Sequence, residues 1–252
     1  MRTPRDRVPD PGRDPGPGPE PAPRPGRPLL VHGTVEEWAR AAESRRSPPH
    51  PGDAARLSAL RDDRLRRRFL ASRLLLRTTL GALADRDPDG IVLTRTALGR
   101  PYAPDLPELD FSLSHTGSLL AVAVVRGGRV GVDAERPGRP MSVLEHRMCT
   151  PHERSGLDAR ELRGTARDAE LLRLWTLKEA YAKALGTGLR HPPRTIGLDP
   201  ADPAGRPALP GTLPGTLSTA TRTLPDGTVV GVVSASGFER GSSRSADDEP
   251  IP

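Results

Sequence analysis

Apolar residues along this chain fall into short blocks, and the blocks switch between a helical and a strand period. In residues 53–84, Leu65, Phe69, Leu76, Leu80 and Leu83 recur at three-, four- and seven-residue steps, which predicts one amphipathic helix. Asp87-Pro88-Asp89-Gly90 then breaks the chain. Ile91–Arg95 reads as a short strand and Leu119–Val125 as a second. Gly127-Gly128 suits a hairpin turn, with Arg129–Glu135 as the returning strand. The helical period comes back over Asp168–Leu185, where Leu174, Leu177, Tyr181 and Leu185 form a stripe, and it stops at Gly186-Thr187-Gly188. Leu217–Leu224, a Pro225-Asp226-Gly227 turn and Thr228–Ala235 carry a hairpin signature. Helices and antiparallel hairpins in blocks predict an α+β fold.

The flanks read differently. Residues 1–28 alternate Pro, Gly, Arg and Asp and hold too little apolar surface to offset the entropy of ordering, so a disordered tail is predicted there and again over 237–252. The Pro- and Gly-rich stretch 200–216 is an insert, and its tandem Pro-Gly-Thr-Leu is too short for a structural repeat. Cys149 is the single cysteine, so no internal disulfide can form. With no signal-peptide pattern and no long apolar run, the expectation is a soluble cytoplasmic protein with no membrane contact.

The formal charge of +6 fits either a GC-rich genome that uses arginine freely or an acidic partner (phosphates, nucleic acid or an acidic protein), and composition alone does not choose between them. The predicted first helix concentrates that charge, setting Arg56, Arg61, Arg64, Arg66, Arg67, Arg68, Arg73 and Arg77 against Asp62 and Asp63. Lys178 and Lys183 are the only lysines in a chain that otherwise uses arginine, which suggests positions where a compact ammonium is needed.

Three segments can carry chemistry. On the strand Val130-Gly131-Val132-Asp133-Ala134-Glu135, alternate residues share a face, so Asp133 and Glu135 project together. Two adjacent carboxylates suit Mg2+, which takes one or two protein carboxylates with water and phosphate oxygens; a solvated strand end would look the same. On the later helix, Trp175, Glu179 and Lys183 make a second line at four-residue spacing, readable as an ion pair on a wet face, except that the indole implies a cover. Gly99-Arg100-Pro101-Tyr102 precedes Phe111-Ser112-Leu113-Ser114-His115-Thr116, where adjacent Ser and His diverge and no Gly-x-Ser-x-Gly elbow exists, so a hydrolase triad is excluded.

Taken in order, Gly-Arg-Pro, Phe-x-x-Ser-His, Gly-Val-Asp-x-Glu and Trp-x-x-Lys-Glu-Ala-x-x-Lys resemble the motif signature of the phosphopantetheinyl transferases, and among them the larger, monomeric class serving secondary-metabolite synthases. The resemblance covers about residues 53–235. It implies two similar α/β halves related by a pseudo-twofold axis, about 29–130 and 131–236, with the active site in the cleft between them. It implies Mg2+, or Mn2+ in its place, held by Asp133, Glu135 and Glu179, with Glu153 as a further acid near it. Glu179 and Lys183 become the catalytic pair, and Arg73, Arg100, Pro101, Ser114, His115, Lys178 and Lys183 the contacts to coenzyme A, with Arg61 and Arg64 joining Arg73 at the 3'-phosphate. The implied partner is an acyl or peptidyl carrier protein with an acidic surface, from polyketide, nonribosomal-peptide (including antibiotic) or fatty-acid synthesis. A non-catalytic coenzyme A-binding relative and a basic nucleic-acid-binding module are the rival readings; the second lacks any aromatic platform or recognised motif. Ser112 and Ala134 depart from the residues usual in the family.

Overall fold

The computed structural model describes the backbone of residues 6–7 and residues 26–45, 50–187, 192–198, 213 and 215–237. Most of the predicted tails and of the 200–216 insert lies outside the described residues, but Asp6–Arg7 (β1) pairs in parallel with Leu30 and Val31.

A first sheet has the order β1-β2-β6-β5, with β2 at Leu29–Thr34, β5 at Leu109–Thr116 and β6 at Leu119–Arg126. A second has the order β7-β9-β8, with β7 at Gly128–Glu135, β8 at Thr216–Thr223 and β9 at Val229–Ser236. Thr94–Arg95 (β3) and Pro101–Tyr102 (β4) form a small separate ladder. The helices are α1 (Val35–Ser44), α2 (Pro51–Ala59), α3 (Asp63–Ala84), α4 (Glu145–Met148), α5 (Pro151–Ala159) and α6 (Gly164–Leu185). The mixed helix and sheet make an α+β fold, and among the described residues no helix is long and apolar enough to cross a membrane.

Strand alternation sorts the chain into four layers. Phe111, Leu120, Val122 and Val124 face one way and pack with Trp38 of α1 and Ala71, Leu75 and Leu80 of α3. Ala121, Ala123 and Val125 face the other way, onto Val130, Val132 and Ala134 of β7 and Val230 and Val232 of β9. Val233 and Ala235 on the outer side of β9 meet Leu174, Leu177, Ala180 and Tyr181 of α6. Small side chains dominate the contact between sheets, which lets them approach closely with few aromatics in the chain.

Several elements differ from the sequence expectation. The predicted helix over 53–84 is two helices. Asp62 caps α3 by accepting from Leu65 N, while Leu60 takes an extended conformation and Arg66 Nη1 donates to the carbonyls of Leu57 and Leu60, closing the end of α2. Of the strand expected at Ile91–Arg95, only Thr94–Arg95 pairs. Gly127, at φ 66°, turns the chain out of the first sheet: β7 does not pair back onto β6 but joins β9. The sequence marks β5 only as a motif, and β2 and α1, which opens with a Thr34–Glu37 capping box, lie outside the elements it predicts.

Helix α6 lies hard against β7. A Cβ on Gly131 would stand 1.8 Å from Ala180 O and 2.7 Å from Ala184 N, and one on Gly231, opposite Asp133 in β9, would stand 3.1 Å from Thr176 O. These two glycines set the helix-to-sheet distance. Gly131→Ala must therefore push α6 away, at a cost of about 2 kcal/mol or more. Urea unfolding should show a lower midpoint at an unchanged slope; an unchanged midpoint would mean that the approach is not tight.

Candidate functional site

Asp110, Ser112 and Ser114 alternate along β5 and share the face turned towards β7. Each receives one backbone N–H from β7: Val130 N donates to Asp110 Oδ2 at 2.8 Å, Val132 N to Ser112 Oγ at 3.1 Å and Ala134 N to Ser114 Oγ at 3.2 Å. The edge donors of β7 are thus satisfied by side chains, and the two halves of the chain are stitched along one line. Ser112, which departs from the family pattern, is a stitch. Asp110 has no place in the sequence expectation and Ser112 enters it only as a departure from the family pattern, although alternating polar residues inside an apolar strand are a legible signal.

The stitch ends at the acids. Ser114 Oγ donates to Asp133 Oδ1 at 2.9 Å and accepts from Lys183 Nζ at 2.9 Å, and Lys183 Nζ donates to Asp133 Oδ1 at 2.7 Å. With Ala134 N, that uses the full capacity of one hydroxyl. Asp133 is buried, and its Oδ2 has no hydrogen-bond partner among the described residues. Glu135 Oε1 accepts from Trp175 Nε1 at 3.0 Å and from Arg139 Nη2 at 3.3 Å. Arg139 lies over the Trp175 ring, 5.9 Å from its centroid, and so is the cover that the indole implied.

Glu179 stands one turn before Lys183 on α6 and is half-buried. Burial pushes its carboxyl above the usual range; Asp133 and Glu135 push it further and Lys183 opposes them. Asp133, Glu135, Glu179 and Lys183 therefore share one electrostatic neighbourhood. Among the described residues, no three His, Cys, Asp or Glu side chains converge closely enough to cage an ion unaided. An open, oxygen-only set with one orphaned buried carboxylate oxygen still fits a hard divalent ion that completes its shell with water and phosphate.

His115 follows Ser114 on the opposite face of β5 and is exposed. Partial burial lowers its pKa below 6.5, and Arg68 and Lys183 lower it further. Arg68, absent from the sequence-derived set, thus reaches the same neighbourhood from α3.

Other expected contacts lie elsewhere. Lys178, expected at the phosphates, is fully buried on another face of α6. Its Nζ donates to Glu153 Oε2 at 2.6 Å, to Met148 O at 2.6 Å and to Pro193 O at 3.1 Å. Burial drives its pKa down, and Glu153 opposes the shift. Glu153, expected near the metal, is equally buried; it also accepts from Thr150 N and Leu198 N, so both its oxygens are committed. This pair anchors α5 to α6. Removing either partner would leave a buried unpaired charge, at a cost of about 3–5 kcal/mol.

Arg100, expected at the nucleotide, points inward. It pairs with Asp110 Oδ2 at 2.5 Å, donates to Val130 O at 3.0 Å, and bonds the Lys183 carbonyl. Its work is to tie β5, β7 and the end of α6 together. Pro101 is half-buried on β4.

Arg73 pairs with Asp53 at 3.0 Å and stacks on Phe69, 5.0 Å from the ring centroid; Arg77 pairs with Asp53 at 2.7 Å. Asp53, a buried acid that the sequence reading overlooked, is the base of a cationic cluster whose exposed members are Arg56 and Arg95. Arg61 and Arg64 are exposed on the same helical arm.

Comparisons with known proteins identify the family of the chain. The profile of the 4'-phosphopantetheinyl transferase superfamily matches residues 129–225, and that of the N-terminal region of 4'-phosphopantetheinyl transferase matches residues 34–126. The chain is similar to 4'-phosphopantetheinyl transferase HetI of Nostoc sp., at 32% identity over 69% of this chain and 72% of the relative. It is similar to a 4'-phosphopantetheinyl transferase of Bacillus subtilis, at 31% identity over 50% of this chain and 54% of the relative. A phosphopantetheinyl transferase of Thraustochytrium sp. is 32% identical over 62% of each chain. The two profiles meet where the chain crosses from one sheet to the other, and the acids, Lys183 and the stitch between the sheets lie on both sides of that crossing: the chain belongs to the 4'-phosphopantetheinyl transferase superfamily.

Proposed function

We propose that this protein transfers the 4'-phosphopantetheine arm of coenzyme A to a serine of an acyl or peptidyl carrier protein. The observation that carries this reading is the joint environment of Asp133, Glu135, Glu179 and Lys183 at the α6–β7 contact. A serine hydroxyl of the carrier attacks the β-phosphate of coenzyme A. One phosphorus–oxygen bond forms, the bridging one breaks, and 3',5'-ADP leaves.

Asp133, Glu135 and Glu179 would hold Mg2+, or Mn2+ in its place. Bound there, the ion would offset the negative charge of the diphosphate. Glu179, whose carboxyl burial makes more basic than an ordinary glutamate, takes the serine proton, directly or through one water. Lys183, already poised on Asp133 Oδ1, meets the departing phosphate, and Ser114 fixes where that ammonium sits. His115 and Arg68 face the nucleotide phosphates, and the Arg56, Arg73 and Arg95 cluster over Asp53 offers a second anion site. Lys178 and Arg100 take no part in binding in this scheme; they hold the site's walls. We further propose that each half, a 22-residue helix on a sheet whose β2-β6-β5 or β7-β9-β8 strands are antiparallel, is one copy of a duplicated unit, and that the protein works in the cytoplasm as a monomer. A basic surface would speed encounter with an acidic carrier in a salt-dependent way.

Two outcomes are expected. Glu179→Ala should abolish the mass gain on an apo carrier protein incubated with coenzyme A and Mg2+, while leaving the unfolding midpoint close to that of the unchanged chain; full turnover would remove Glu179 from the reaction. In NMR titrations the free protein's His115 should titrate below 6.5. Its neutral form is the one favoured by folding, so this contribution to stability fades as pH falls through that pKa. Adding coenzyme A should raise the pKa, because a nearby phosphate stabilises imidazolium. A value that does not move on saturation would take His115 out of the binding site.

A further inference from the structure

Glu135 lies at the outer end of β7, where a clip closes on one of its oxygens. Trp175 Nε1 and Arg139 Nη2 both donate to Oε1, at 3.0 and 3.3 Å. The guanidinium of Arg139 also covers the indole face, and its Nε lies 3.3 Å from Met141 Sδ. The loop behind it is pinned, since Asp168 Oδ1 accepts from Met141 N at 2.9 Å and Ser142 N at 2.8 Å. Arg139 can therefore leave Glu135 by side-chain rotation alone.

The ion pairs around the site differ in how firmly they are held. Arg100 and Asp110 are each only 6% exposed, and Lys183 meets an Asp133 side chain that is 9% exposed. Arg139 is 47% exposed and Glu135 25%. A pair so wet contributes little to stability, because water competes for both charges. A divalent ion brings twice the charge to the same carboxylate at a shorter distance, so it wins that oxygen from a guanidinium.

We propose that Arg139 is a resident counter-ion for Glu135, holding the carboxylate in place until a divalent cation takes it, and that its departure uncovers the face of Trp175. This rests on the reading of Glu135 as a metal-holding carboxylate. Arg139 then sets the apparent affinity for the ion: it competes for Glu135 while preventing the empty acid group from repelling itself apart. Trp175 is a built-in reporter, because the only other tryptophan, Trp38, is buried in the first half and is a constant background.

The test uses the full chain and the metal alone. Mn2+ binding is read from loss of the free-ion electron paramagnetic resonance signal, and Mg2+ binding from tryptophan emission. Arg139→Gln should bind Mn2+ about two- to five-fold more tightly, the range open to loss of an exposed ion pair. Its emission before metal should already resemble that of the Mg2+-bound unchanged chain. Arg136→Gln is the control: it removes the same charge from the same loop, but Arg136 lies against Gly117 and within electrostatic reach of Asp226. Equal affinities in Arg139→Gln and Arg136→Gln, or no saturable binding in any variant, would overturn the proposal. Glu135→Gln separates the two layers. If it binds Mn2+ as well as the unchanged chain, the underlying reading of Glu135 fails; if it binds more weakly while Arg139→Gln does not tighten, only the counter-ion role fails.

Discussion

The distance between α6 and β7 is the constraint on which the site depends. Gly131 leaves no room for a side chain between the strand and the carbonyl of Ala180, and Gly231 sits close beneath Thr176, where a Cβ would be a tight contact. A helix seated this low brings the Trp175–Glu179–Lys183 line level with Asp133 and Glu135. Three acids so placed would repel one another in a dry interior. Lys183 on Asp133 and Arg139 on Glu135 offset that repulsion in part; the pKa of Glu179 is raised first by burial and then by the charges of Asp133 and Glu135.

The second requirement is that the two sheets keep their register. Ala121, Ala123 and Ala134 permit close packing between them but specify little, since small apolar side chains slide easily. Asp110, Ser112 and Ser114 supply the specificity, each claiming one β7 amide. Arg100 adds a charged tie across the same seam. Because Ser114 is both a stitch and a partner of Lys183 and Asp133, a slip in sheet register would disassemble the site. Structure and chemistry here share one hydroxyl.

Much of this was legible in residue order. Alternation placed Asp133 and Glu135 together, four-residue spacing placed Trp175, Glu179 and Lys183 together, and the motif resemblance joined the two lines. What residue order could not convey was which way long basic side chains turn. Lys178 and Lys183 look equivalent as the only lysines, yet five residues on a helix is well over one turn, so they face different layers; one meets Glu153 in the core and the other Asp133 at the site. Arg73 and Arg100 looked like surface anion binders because Asp53 and Asp110 are distant in sequence or unremarkable in context. The predicted helix over 53–84 divides for a local reason: Leu60 ends α2 in an extended conformation, and the Asp62 side chain caps the start of α3.

The most direct test of the account is to locate the ion. Crystals of the protein grown with coenzyme A and Mn2+, measured at the manganese absorption edge, should show one anomalous peak within coordination distance of Asp133 Oδ2, Glu135 and Glu179, with the diphosphate on its far side. A peak bound elsewhere, or a diphosphate bound away from Lys183 with these three acids unoccupied, would contradict it.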